Sequence, residues 1–175
     1  MAFLFDATEG GTTSNSYCTV EFADDYFGGE LYAAEWNALV NTNPPDLLKK
    51  EQALCKATRR LERLQWVSLP THVTQALKHP RFWLEDDHGY FYPQENVIPP
   101  VKFACCELAL FYLRQDPTLV VDQALRQFKS LHVANVLEFE MREQLPNEDD
   151  LPPRVLNFIA PWLTAGPGGV RIVRA

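Results

Sequence analysis

The sequence predicts a mainly α protein, a small helical bundle with a short β-hairpin or strand insertion and extended N- and C-terminal arms. Three observations carry this. Between Leu47 and about Trp66, Leu47, Leu54, Ala57, Leu61 and Leu64 recur at spacings of seven, three and four, which puts them on one helical face. The segment after Pro99-Pro100, VKFACCELALFYL, is apolar almost all the way round, and a helix with no polar face must be wrapped by other elements or subunits. Both chain ends are rich in glycine and small residues, which suits irregular arms.

The elements follow in order. Residues 1–18, rich in Gly, Thr, Ser and Asn, read as an arm that orders only when docked. Thr19 is a good N-cap for a first helix, with Glu21 in its first turn and Phe22, Ala23, Tyr26 and Phe27 as its apolar stripe. Gly28-Gly29 weakens or breaks it, and Leu31 to Leu39 resumes it. NTNPPD, residues 41–46, is a turn that starts the next helix, and Ser68 to His79 is loop. Asp86-Asp87-His88-Gly89 lies between two aromatic runs, a hairpin signal. Pro99-Pro100 suits a helix start and Asp116-Pro117 its end near Arg114. Residues 119–127 suit a helical turn or two, and Val133 to Met141 is the best strand candidate. An acidic loop, Pro146 to Asp150, leads to a last short helix from Pro152-Pro153 carrying Val155, Leu156, Ile159 and Trp162. The expected organisation is an arm over 1–18, one helical domain over 19–163 and a flexible arm over 164–175. Leu54, Leu61, Val101, Cys105, Leu108 and Tyr112 are the expected helical core.

The net charge is −7, from 16 Lys and Arg against 23 Asp and Glu, which disfavours a general DNA binder because phosphate neutralisation supplies most of the affinity. Cys18, Cys55, Cys105 and Cys106 lack the paired spacing of a zinc site and read as structural thiols folded in a reducing cytoplasm. MAFLFDATEGG lacks the basic start and long apolar run of a signal peptide, and no run suits a membrane span.

Two stretches are candidate sites. Lys49, Lys56, Arg60 and Arg63 share one face of the 47–66 helix, at 100° per residue. That stripe suits DNA or an acidic surface of a neighbour, or a solvated face paired locally with Glu51 and Glu62, the commoner case. The terminal VRIVRA (Val170, Arg171, Ile172, Val173, Arg174) follows a glycine joint and suits strand addition at a partner's sheet edge, or a frayed end. His88 with Asp86 and Asp87 suits a solvated turn better than a metal site, so no metal and no cofactor is expected. No nucleophile elbow and no phosphate-binding glycine loop occurs, so no enzyme activity is expected.

Several segments in order resemble the head–tail connector proteins of tailed bacteriophages, the neck adaptor or head-completion family, sometimes described as DnaT-like single-stranded-DNA-binding. They are SNSYCTVEFADDYF, ALCKATRRLERLQW, the HPR step with GYFYP, and IPPVKFACCELALFYL, over roughly residues 14–115. LPPRVLNFIAPWL and the arginine-bearing end fit less specifically. Gly28-Gly29 departs from the family pattern, and Phe22 stands where an acid would complete a capping box.

The resemblance implies a structural virion protein, at the neck of the portal vertex and assembled in the host bacterial cytoplasm. It implies a monomer that assembles on the portal as a homo-oligomeric ring, a dodecamer matching portal symmetry. The C-terminal arm, Val170 to Arg174, would engage the portal protein. The ring would bridge to the tail or next neck protein, with genomic DNA passing through the lumen without sequence-specific binding and no membrane involved. Lys49, Lys56, Arg60 and Arg63 would then face acidic patches of the next subunit, such as Asp24-Asp25 or Glu148-Asp149-Asp150. The alternative is a single-stranded-DNA-binding replication accessory, using the same stripe with Trp66, Trp83 and Tyr90 as stacking platforms.

Overall fold

The computed structural model describes residues 3–114, 130–133, 137–140 and 151–164. The chain divides into two units, residues 1–114 with 152–175 and residues 115–151. The first unit holds α1 (Val20–Gly28), α2 (Ala34–Asn37), α3 (Pro44–Leu61), α4 (Pro99–Arg114), α5 (Pro153–Ile159) and a 3-10 turn, Ala160–Trp162. The second holds β1 (Ser130–Val133) and β2 (Leu137–Glu140), paired antiparallel. The protein is mainly α, as the patterning predicts.

α4 is the centre of the first unit. It packs against α3, α5, α2 and α1. Val101, Ala104, Cys105, Cys106, Leu108, Ala109 and Leu110 are buried, so the helix without a polar face is covered within its own chain. Its one acid, Glu107, is buried too, and its carboxylate accepts from the Tyr26 hydroxyl at 2.7 Å. Arg154 on α5 lies 3.0 Å from the same Glu107 oxygen and 2.7 Å from Glu30. Three helices thus meet on one carboxylate that would otherwise be stranded away from water.

α1 begins where expected, with the Thr19 hydroxyl accepting from Phe22 N–H at 3.2 Å. It ends at Gly28, and the segment beyond yields only the four-residue α2. Trp36 of α2 is fully buried, and its indole N–H donates to Asp24 at 2.7 Å. Phe22 stacks on Phe103 of α4 at 6.0 Å, where a capping acid could not.

α3 starts three residues before Leu47, because proline is tolerated in a first turn. It ends at Leu61 rather than Trp66. Glu62 caps the helix, its N–H donating to the Thr58 carbonyl at 2.8 Å, while its carboxylate accepts from the Tyr17 hydroxyl and from Lys78 N–H at 2.9 Å. Trp66 instead pairs antiparallel with Leu163 as an isolated bridge.

Residues 3–18 form no helix or strand, yet they are not an arm awaiting a partner. Ser14, Ser16, Tyr17 and Cys18 are buried. Asp6 accepts from Asn15 and Ser16 N–H through its carbonyl, and Tyr17 N–H donates to the Thr58 hydroxyl at 3.1 Å. Glu9 accepts from Val97 N–H and pairs with Lys102 at 2.6 Å, tying the segment to the start of α4.

The loop between α3 and α4 is organised by Arg81, which is buried. Its guanidinium donates to the carbonyls of Val67 at 2.7 Å, Lys78 at 2.9 Å and Ser68. A hairpin follows, with a bridge at Glu85–Phe91 and Tyr92 N–H donating to the Leu84 carbonyl. Two details differ from expectation elsewhere. The 133–141 stretch is not one strand but part of a pair in register Leu131↔Phe139 and Val133↔Leu137, because a lone strand leaves its backbone groups unpaired. Leu156 is exposed, whereas Val155 and Ile159 are buried, since one face of the short α5 meets α4. The expected turn at 119–127 and the 146–150 loop lie outside the described residues.

His79 is 1% exposed between Tyr17 and Trp66, whose rings stand perpendicular to it at 5.6 and 4.4 Å. Neither ring nitrogen has a hydrogen-bond partner among the described residues. Burial, reinforced by nearby Arg81, pushes its pKa down to about 3. The unfolded chain therefore takes up this proton first as pH falls. The stability from a neutral His79 is whole above about pH 6.5 and withdrawn between there and pH 3, by on the order of 5 kcal/mol in total. His79→Phe is expected to flatten the dependence of Tm on pH across that window, measured by calorimetry from pH 7 downward.

Candidate nucleic-acid interface

α3 packs against α4, and Lys56 in its C-terminal half reaches the last turn of α4; Arg60 is on the same helix and Arg63 lies two residues beyond its end. Lys56 Nζ sits 4.4 Å over the Tyr112 ring. Burial raises the Tyr112 pKa, and the positive charges of Arg60 and Arg63 pull against that rise. The structure therefore seats Lys56 on the Tyr112 ring and leaves Arg60 and Arg63 close enough for their charges to act on the phenol. Tyr112, counted above in the helical core, is only half-buried and forms the floor of this face. Lys49 is exposed on the same helical face, two turns toward the N-terminus. Arg59, which the stripe omitted, is exposed in the last turn beside Arg60. Cations there also suit the negative end of the helix dipole.

Leu54, Leu61, Val101, Cys105 and Leu108 are buried at the α3–α4 contact. Cys18 and Cys106 sulfurs lie 3.7 Å apart, and Cys105 meets the Thr58 hydroxyl at 3.4 Å. All four cysteines are free and buried. Burial pushes the Cys55 thiol up to about 11, so it is a poor nucleophile at neutral pH.

Several charges counted as available are engaged inside the chain. Glu62 serves Tyr17 and Lys78 rather than the stripe. Asp24, offered above as an acidic patch for a neighbour, accepts from Lys50 at 2.7 Å, from Trp36 and from Asn41. Burial opposes its ionisation, but those donors hold its carboxyl below the usual range. Lys50, one residue from Lys49, is buried over the Trp36 ring at 5.1 Å and belongs to the scaffold. Sequence periodicity could not separate these two lysines by role, because the partner Asp24 lies 26 residues away.

The proposed stacking platforms also divide. Trp66 is buried, with its indole N–H on the Leu61 carbonyl, and cannot stack a base. Trp83 and Tyr90 are exposed on the hairpin, but beside Glu85, Asp86 and Asp87, which repel phosphate. The Asp86 carboxylate accepts from His88 and Tyr90 N–H, as a turn cap does. No metal-holding group of His, Cys, Asp and Glu occurs among the described residues. Within those residues no helix is long and apolar enough to cross a membrane. Val170, Arg171, Ile172, Val173 and Arg174, with the Glu148–Asp150 patch, lie outside the described residues.

The electrostatic coupling at Tyr112 gives a spectroscopic check. Cations favour the phenolate, so Arg60→Ala/Arg63→Ala is expected to raise the Tyr112 pKa further. Ultraviolet difference titration against a Tyr112→Phe reference measures it.

Comparison with known proteins returns no curated protein that matches. No solved structure matches. One family model covers residues 1–175, and by that match the chain belongs to the family described as "Putative DnaT-like ssDNA binding protein".

Proposed function

We propose that the chain contacts single-stranded DNA through the face made by Lys56, Arg60, Arg63 and Tyr112, with Lys49 extending it along α3. The observation that carries this is the Lys56 ammonium 4.4 Å over Tyr112, with the charges of Arg60 and Arg63 acting on the same phenol. Cations that track a backbone beside an aromatic that accepts a base are the two parts of sequence-tolerant single-strand binding. The family description supports the same reading. The site holds no catalytic grouping, and the proposed role is binding without chemistry.

Fluorescence anisotropy with a labelled oligothymidine tests it. Affinity should fall with salt, and Lys56→Glu/Arg63→Glu should flatten the slope of log K against log salt by about 1.4, from about 0.7 per lost phosphate contact on a single strand. Tyr112→Ala should cost about 1–3 kcal/mol of binding if one base stacks there. Salt-independent or absent binding overturns the reading.

A second reading is the connector adaptor, a virion protein ringed under the portal and bridging it to the tail or neck while DNA passes through. The net charge of −7 favours it, because an acidic wall does not hold translocating DNA. Residues inside the resembling segments (Tyr17, Thr58, Glu62, His79, Arg81 and α4) also interlock in one body, as a shared fold requires. In that reading the Lys56–Arg63 face meets an acidic surface of the next subunit. Cryo-electron microscopy of portal-bearing capsids mixed with the protein separates the two: a ring of added density supports the adaptor, and its absence with salt-sensitive single-strand binding supports the first reading.

A further inference from the structure

Two exposed surfaces of this chain are opposite in charge and alike in carrying aromatic rings. The hairpin at 82–92 has Trp83, Tyr90 and Phe91 at 64, 73 and 55% exposure. The Trp83 and Phe91 rings are 5.6 Å apart, so they form a patch rather than scattered residues. The surroundings hold this tryptophan outward. Its φ of 54° lies in the left-handed region, which a bulky residue adopts only under constraint. The constraint acts on both sides of Phe82, whose N–H donates to the Leu69 carbonyl at 3.0 Å and whose carbonyl accepts from the Ser68 hydroxyl.

Charge around the patch has one sign. Between Arg81 and Lys102 the chain has four acids, Glu85, Asp86, Asp87 and Glu95, and no lysine or arginine. Glu85 and Asp87 are exposed and have no ion-pair partner among the described residues. The α3–α4 face is the converse. Lys56 and Arg63 are exposed and equally without an ion-pair partner among the described residues, and Lys56 lies over the half-buried Tyr112. Both patches are exposed in the single chain, so neither covers the other within one molecule.

We propose that the hairpin of one copy docks on the Lys56–Arg63 face of a second copy. Glu85 and Asp87 meet Lys56 and Arg63, and Trp83 and Phe91 lie against Tyr112. A single strand of nucleic acid offers anions interleaved with flat rings, and the hairpin offers carboxylates interleaved with flat rings. The contact joins two different surfaces, so it is heterologous and leaves one hairpin and one basic face open on each pair. It uses the face of both readings above but requires neither DNA nor a portal. DNA and a neighbour's hairpin cannot occupy that face together.

Sedimentation velocity of the full chain without nucleic acid, at low salt and from about 1 µM to about 1 mM, tests this. The unmodified chain is expected to gain mass with concentration and lose it with added salt. Glu85→Lys/Asp87→Lys and, separately, Lys56→Glu/Arg63→Glu are expected to weaken association by about tenfold, and Trp83→Ala by about thirtyfold. An equimolar mixture of the two charge variants should associate again, because each supplies the surface the other has lost. That recovery also shows both variants to be folded. A monomer at every concentration overturns the proposal, and so does a mixture that fails to associate. Association that survives Lys56→Glu/Arg63→Glu but is lost in Trp83→Ala pairs hairpin with hairpin and also overturns it. The hairpin variants keep Lys56, Arg63 and Tyr112, so their affinity for oligothymidine reports on the DNA reading separately.

Discussion

The need to cover α4 on every side sets the rest of the structure. A helix with alanine, cysteine, leucine and valine around its whole circumference gains nothing from water on any face. α1, α2, α3 and α5 supply the cover, and α5 is recruited from beyond residue 151 to do so. Small residues on α4, Ala104, Cys105, Cys106 and Ala109, are fully buried where the neighbouring elements come in. The one ionised group admitted to this centre, Glu107, is tolerated because Tyr26 and Arg154 complete it.

The second organising feature is the seam where the N-terminal segment, the end of α3 and the following loop meet. Tyr17 donates from both its backbone and its hydroxyl across this seam, to Thr58 and Glu62. His79 fills the space between Tyr17 and Trp66, and Arg81 closes the loop on itself through backbone carbonyls. Stretches far apart along the chain supply these residues. Their order along the chain is thus a signature of packing, and it identifies a fold more directly than an activity.

Charge is divided by the same architecture. Lys50, Arg81, Asp24 and Glu62 are spent internally, where each has a specific donor or acceptor. Lys56 and Arg63 stay at the surface, Lys56 over the Tyr112 ring, while the exposed aromatics of the hairpin sit among carboxylates. Two aromatic surfaces of opposite electrostatic character result. Of these two surfaces, the α3–α4 face has the sign that a phosphate backbone requires.

The sequence by itself determined the helical class, the Thr19 cap, the bounds of α4 and the hairpin around residues 86–89. Those features depend on local patterning: an N-cap hydroxyl, prolines at a helix start, a turn between aromatic runs. It also grouped Lys56, Arg60 and Arg63 on one face, because helical periodicity suffices for that. Only the tertiary structure decided that Lys50 is buried beside exposed Lys49, that Trp66 is lost to the core and that Tyr112 joins the basic face. It likewise decided that residues 3–18 are packed and that α3 stops at Leu61. Four of these turn on a partner far away in sequence, Asp24 for Lys50, Leu163 for Trp66, Lys56 for Tyr112 and Thr58 for Tyr17. No local pattern encodes a contact whose other half is tens of residues distant.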